Sequence, residues 1–304
     1  MSADPSNPQP VCLAGQRPDP ARLVRSITGT ISFVGLLLAA TVDGRVRHAL
    51  GLLHTGPEGA VWIHRWCRRI MRCLGVECAV EGDLPGRLAA SGQGFEAVVC
   101  NHLSYIDILL MSAARPFVAV AKTEVRGWPL LGWLTAQAGT VYVTRGGHPE
   151  TYPAVNAAMA QAYRSGLPVL FFPEGTTTNG GEILPFRRGL FHSVLRDHVQ
   201  VRTAALTYQL AEPAPDVTVA NDVCWWGDAD FLPHLFRFLG LRSVRATIRF
   251  GDVVEGADRF ELAQNAHAEV SAMVQDLAPG SRVDAVESAE TSRQRQESGL
   301  VQAL

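Results

Sequence analysis

From residue 96 onward the chain alternates between two hydrophobic periods, and this restricts its fold more than any other feature. Short apolar, β-branched runs at Glu96–Cys100, Phe117–Ala121, Gly139–Val143, Pro168–Phe172, Val199–Leu206 and Val244–Val253 read as strands. Between them, Trp128–Ala138, Glu150–Ser165, Arg187–Arg196 and Phe231–Leu239 carry helical spacing, and Arg259–Leu277 closes the series. Strands that alternate with helices predict an α/β fold: a mixed, largely parallel central sheet flanked by helices. No internal repeat and no second domain is visible.

The 304 residues, 47% of them hydrophobic, are enough to fill a sizeable core. A net charge of -2 argues against a nucleic-acid partner. The 6 cysteines form no Cys-x-x-Cys pair and no zinc-type Cys/His spacing, so reduced thiols, a cytosolic setting and no metal site are expected. Residues 1–20 contain five prolines, and residues 279–304 are rich in Ser, Glu, Gln and Arg. Both ends are predicted to be disordered.

The segment between them and the sheet points to a membrane. Ser26–Val42 is a run of 17 uncharged residues, at the lower limit for crossing a bilayer core about 30 Å thick. Arginines flank it on both sides, which suits a segment that dips in and returns. Pro57–Leu74 then reads as an amphipathic helix, with Trp62, Trp66, Ile70 and Leu74 on one side and Arg65, Arg68, Arg69 and Arg72 on the other. Tryptophans opposite arginines suggest an interfacial helix, although packing on the domain gives the same period. Residues 21–75 are therefore expected to associate with a membrane, and residues 76–278 to form the catalytic domain.

Candidate chemistry gathers where strands end, the usual position of ligand sites in such sheets. The first loop is Asn101-His102-Leu103-Ser104-Tyr105-Ile106-Asp107. A histidine leaving a buried strand, with a carboxylate five positions on, makes a base with an orienting partner. Ser104 and Asp107 also fit an ordinary helix start, Ser104 as N-cap and Asp107 in the first turn. The second loop, Phe172-Pro173-Glu174-Gly175-Thr176-Thr177, places an acid beside an apolar strand end, where burial is costly without a partner. Lys122 and Arg145 each follow a strand and Arg188 follows Pro185-Phe186-Arg187, so each can meet an anionic head group.

These loops, in this order and spacing, closely resemble the 1-acylglycerol-3-phosphate acyltransferase family of glycerolipid acyltransferases. Asn101, His102 and Asp107 match its NHxxxxD motif; Lys122 and Arg145 fall in its second block; Phe172 to Thr176 match FPEGT. The resemblance implies that His102 is the general base on the free hydroxyl of a lysophospholipid and that Asp107 orients it. Asn101, Lys122, Arg145, Glu174, Gly175, Thr176 and Arg188 would contact substrate. It further implies acyl-CoA or acyl-carrier protein as co-substrate, no cofactor, and work at the cytoplasmic face of the inner membrane. The family often has Arg where this chain has Thr177, and the FPEGTTT form with Cys224-Trp225-Trp226 looks like a branch that includes lyso-ornithine-lipid acyltransferases. The acceptor implied first is 1-acyl-sn-glycerol 3-phosphate, giving phosphatidic acid, and the alternative is a phosphate-free lysolipid such as lyso-ornithine lipid. A non-catalytic lipid-binding protein is the reading from another class.

Overall fold

The computed structural model describes residues 19–85, 96–144, 152–212, 214 and 216–278. Residues 1–18 and 279–304, where disorder is predicted, lie outside the described residues, as does Arg145.

Two helices open the chain, α1 (Pro20–Ala49) and α2 (Pro57–Cys73). There follow β1 (Val76–Glu81), β2 (Glu96–Cys100), α3 (Ile106–Ala114), β3 (Val118–Lys122), a 3-10 turn at Thr123–Gly127, α4 (Leu131–Gln137) and β4 (Val141–Val143). The second half runs α5 (Tyr152–Tyr163), β5 (Val169–Phe171), α6 (Gly189–Arg196), β6 (Gln200–Leu210), α7 (Phe231–Leu239), β7 (Val244–Val254) and α8 (Arg259–Leu277). Helix α4 starts later than its periodicity predicts, because Leu130 takes a positive φ of 60° and breaks the turn before it.

The sheet has 7 strands in the order β1-β7-β6-β2-β5-β3-β4. Strands β6, β2, β5, β3 and β4 run parallel, while β7 lies antiparallel to β6 and carries β1 with it. The carboxyl ends of the parallel strands thus share one edge. Alternation along β2 sorts the two cores: Val98 and Cys100 face a cluster built with α1, α2, α3 and α7, whereas Ala97 and Val99 face one built with α5, α6 and α8. Ile106, Leu110 and Met111 of α3 are fully buried in the first cluster, where truncation of one such side chain costs about 2–5 kcal/mol.

Of the two readings of α2, an interfacial helix or one packed on the domain, the structure shows the tryptophans packed. Trp62 and Trp66 are buried, and their indole N–H groups both donate to Asp43 Oδ2 of α1, at 2.8 and 3.2 Å. A buried indole needs an acceptor, and Asp43 supplies one to each ring. Gly59 lets α2 meet the end of α4, since a Cβ there would lie 1.8 Å from the Gln137 carbonyl oxygen. The arginines Arg65, Arg68, Arg69 and Arg72 remain exposed. On α1 the pattern is reversed: Ile27, Ile31, Val34, Leu38 and Val42 are exposed along one stripe, on a helix long and apolar enough to cross a membrane.

Candidate active site

Seven residues after the end of the central strand β2, the chain turns back on itself through a carboxylate. Asp107, in the first turn of α3, is completely buried. Its Oδ2 accepts the backbone N–H of Leu103 (2.6 Å) and of Ser104 (2.9 Å), together with His102 Nδ1 (2.8 Å). The two amides belong to the loop just before the helix, so the same oxygen closes the turn and orients the ring. Ser104 is not the N-cap that its position suggests. Tyr105 occupies that place without a side-chain bond, and the Ser104 hydroxyl is buried with no partner.

With Nδ1 engaged as donor to Asp107, His102 Nε2 is the nitrogen left to take a proton, and its side chain is 22% exposed. Phe172 lies against the ring, centroids 4.1 Å apart and planes 12° apart. The backbone of the loop is fixed from several sides. His102 N–H donates to Glu174 Oε1 at 2.7 Å, the His102 carbonyl accepts Thr178 N–H at 3.0 Å, and the Leu103 carbonyl accepts Trp225 N–H at 2.8 Å. Each contact joins the end of β2 to the chain leaving β5 or β6.

Two residues expected to contact substrate serve the framework. The Asn101 side chain donates to the Leu206 carbonyl (2.9 Å) and accepts the Leu206 N–H (2.8 Å), and is buried. It thereby stands in for a backbone unit where the β2–β6 ladder ends. Glu174 is 2% exposed, and both its oxygens are taken, by His102 N–H and by Leu184 N–H at 2.9 Å. Burial pushes its carboxyl up to about 7; the two backbone donors oppose the rise and the Asp107 charge adds to it.

The remaining residues lie around this centre. Gly175 takes φ +71°, and a Cβ there would fall 2.7 Å from Arg187 Nε, so only glycine fits this turn. Thr176 is partly exposed beside it. Arg188 lies elsewhere, its guanidinium 4.5 Å from the Phe260 ring centroid at the start of α8. Lys122 is exposed at the carboxyl end of β3, on the same sheet edge as His102 but beyond β5. The arginine against the Gly175 turn is thus Arg187, which sequence reading passed over for its neighbour.

A third layer was not legible in the motifs. Tyr208 of β6 donates to Asp107 Oδ1 at 2.7 Å. Tyr105 and His234 of α7 are bonded at 3.0 Å through Nδ1, and His234 Nε2 lies 2.9 Å from the Cys224 carbonyl, which makes Nε2 the donor and Tyr105 the donor to Nδ1. Burial holds His234 down at about 4, so the ring is neutral in this lock. Tyr105, Trp128, Trp225 and Phe231 form a half-exposed aromatic cluster over the loop. Among the described residues no group of His, Cys, Asp and Glu gathers as a metal centre, and the five described cysteines are free thiols.

Known proteins share this arrangement to differing extents. The family model described as Acyltransferase matches residues 95–219. Lyso-ornithine lipid O-acyltransferase of Pseudomonas aeruginosa is 34% identical over 239 residues, covering 78% of this chain and 86% of that protein. The protein of the same name from Rhodobacter capsulatus is 31% identical over 280 residues, 89% of this chain and 95% of the relative. A 1-acyl-sn-glycerol-3-phosphate acyltransferase of Neisseria gonorrhoeae is 30% identical over 200 residues, 63% of this chain and 74% of the relative. The crystal structure of the 1-acyl-sn-glycerophosphate acyltransferase from Thermotoga maritima superposes with a TM-score of 0.57 at 17% identity, covering 84% of this chain and 97% of that one, and so shares the fold. Near-complete coverage of relatives at this identity, over the segment that carries His102, Asp107 and Glu174, shows that the chain is an acyltransferase and belongs to the glycerolipid acyltransferase family.

Proposed function

We propose that the protein moves a fatty acyl group from acyl-CoA or acyl-carrier protein to the free hydroxyl of a lysolipid, with His102 as general base. The observation that carries this is the His102–Asp107 pair, with Nδ1 fixed at 2.8 Å and Nε2 turned away from the carboxylate. His102 Nε2 takes the hydroxyl proton as the oxygen attacks the thioester carbonyl carbon. A C–O bond forms, the tetrahedral intermediate expels the thiolate, and the proton on Nε2 passes to that sulfur. Buried Asp107 stabilises the imidazolium formed in between. No cofactor enters the step; the acyl thioester is a co-substrate.

For the acceptor, lyso-ornithine lipid is the first choice. Two relatives that match most of the chain bear that name, and Thr177 offers no cation after FPEGT. The second reading is 1-acyl-sn-glycerol 3-phosphate, favoured by the Neisseria relative and by Arg187 against the Gly175 turn. The exposed apolar stripe of α1 and the exposed α2 arginines support a reaction at a membrane surface, the stripe meeting lipid and the arginines anionic head groups. Free thiols at the described cysteines suit the cytoplasmic face.

Purified protein supplied with labelled acyl-CoA and each lysolipid in turn tests this reading. Ester should form faster on lyso-ornithine lipid, and His102→Ala should abolish transfer with an unchanged melting temperature. Thioester loss at equal rates with and without a lysolipid would mark a hydrolase instead, and normal turnover by His102→Ala would refute the mechanism.

A further inference from the structure

The two oxygens of Asp107 are served differently. Oδ2 takes all its bonds from its own loop, namely Leu103 N–H, Ser104 N–H and His102 Nδ1. Oδ1 takes its bond from Tyr208, 101 residues away on β6. Both partners of that bond are buried, Asp107 completely and Tyr208 at 6% exposure. We propose that Tyr208 is a positioning residue of the acyl transfer: its hydroxyl ties the Asp107 carboxylate to β6 and takes up part of its charge, and thereby sets the charge that Oδ2 presents to the His102 ring. The proposal rests on the base role of His102 and adds to it a residue outside the recognised motifs.

The physical reason lies in how a buried carboxylate is held. The three bonds on Oδ2 all come from its own loop; the Tyr208 bond to Oδ1 ties the same carboxylate to β6, a different element. The same bond withdraws electron density. A carboxylate that shares its charge with Tyr208 attracts the imidazolium less than one left bare, so the phenol keeps the base weaker and able to return its proton to the leaving sulfur.

Around Asp107 stand His102 from its own loop, Cys100 at the end of β2, Tyr208 of β6, Cys224 before α7 and Glu174 after β5. Burial raises the thiols of Cys100 and Cys224 and the phenol of Tyr208, so all three stay neutral. Glu174 faces the same carboxylate, with its own carboxyl raised to about 7.

The test is the pH profile of kcat/KM for wild type, Tyr208→Phe, and the enzyme carrying 3-fluorotyrosine at position 208, a near-isosteric and stronger donor. In Tyr208→Phe the carboxylate loses its Oδ1 donor and the charge facing the ring grows, so the acid limb of the profile moves up. Turnover should fall about tenfold with KM for both substrates little changed. The fluorinated enzyme should move the limb the other way. A merely structural tyrosine would lower activity in step with melting temperature and leave the limb in place in both variants, and that result overturns the proposal. Should Tyr208→Phe not fold, the fluorinated enzyme decides alone. Failure of the general-base reading is recognised separately, by turnover surviving in His102→Ala.

Discussion

The imidazole of His102 is sandwiched in two senses: Asp107 holds its edge at 2.8 Å, and the ring of Phe172 covers one face at 4.1 Å between centroids. The phenylalanine of the FPEGT block therefore helps fix the orientation of the ring. Replacing Phe172 by Leu keeps an apolar neighbour but removes the flat surface, so the ring should gain rotational freedom. Turnover is expected to fall about three- to tenfold, since an offset aromatic pair contributes about 0.5–1.5 kcal/mol beyond its area. Steady-state kinetics alongside a melting curve will show whether activity drops without a matching loss of stability.

Glu174 makes a prediction about pH and stability. Its carboxyl stands at about 7 in the folded chain against an ordinary 4.5. A raised value means that the folded state binds the proton more tightly. Its contribution is therefore complete below about pH 4.5 and is lost as pH rises through about 7. Urea denaturation at pH 5 and at pH 8 should show wild type losing more stability across this window than Glu174→Gln. The variant should also be slow, because its amide sets an N–H against the Leu184 or His102 N–H. Parallel losses in the two proteins would count against the assignment.

Arg187 and Arg188 are neighbours with different surroundings, one against the Gly175 turn and the other on the Phe260 ring. With an acceptor that carries a phosphate or carboxylate, Arg187→Ala should raise the acceptor KM about tenfold, the scale of one charge-assisted contact. Arg188→Ala should leave it nearly unchanged. Initial rates against lysolipid concentration measure both, and the reverse order would move the anion subsite toward α8.

The exposed stripe on α1 predicts vesicle binding. Ile31→Glu combined with Leu38→Glu should reduce sedimentation with phosphatidylglycerol vesicles at least about tenfold, given roughly 1.5–3 kcal/mol for each apolar side chain removed from water. Circular dichroism should not change, because both side chains point away from the core. Binding by wild type should weaken with added salt through the α2 arginines. Unchanged sedimentation of the double variant would place lipid contact elsewhere.

The chain's own period made most of the architecture legible. Strand and helix segments from residue 96 onward fall within a few residues of where they are predicted, and the NHxxxxD spacing alone brought His102 and Asp107 into reach of one another. Helical periodicity on α2 likewise identified the face of Trp62 and Trp66. A period, however, says which side of a helix is apolar and nothing about the medium it meets. Only packing showed that those rings turn to Asp43 and that the exposed apolar stripe belongs to α1.

What local order determined was the alternation of elements and the dyad, because both depend on residues a few positions apart. What tertiary structure decided was every contact that spans the sheet: Asn101 on Leu206, Glu174 on the His102 amide, Tyr208 on Asp107, and the reversal of β7 and β1. Those contacts join residues dozens to more than a hundred positions apart, and no spacing rule connects them. They follow from strand order, which is set by how the two cores close on the sheet, and that is a property of the whole chain.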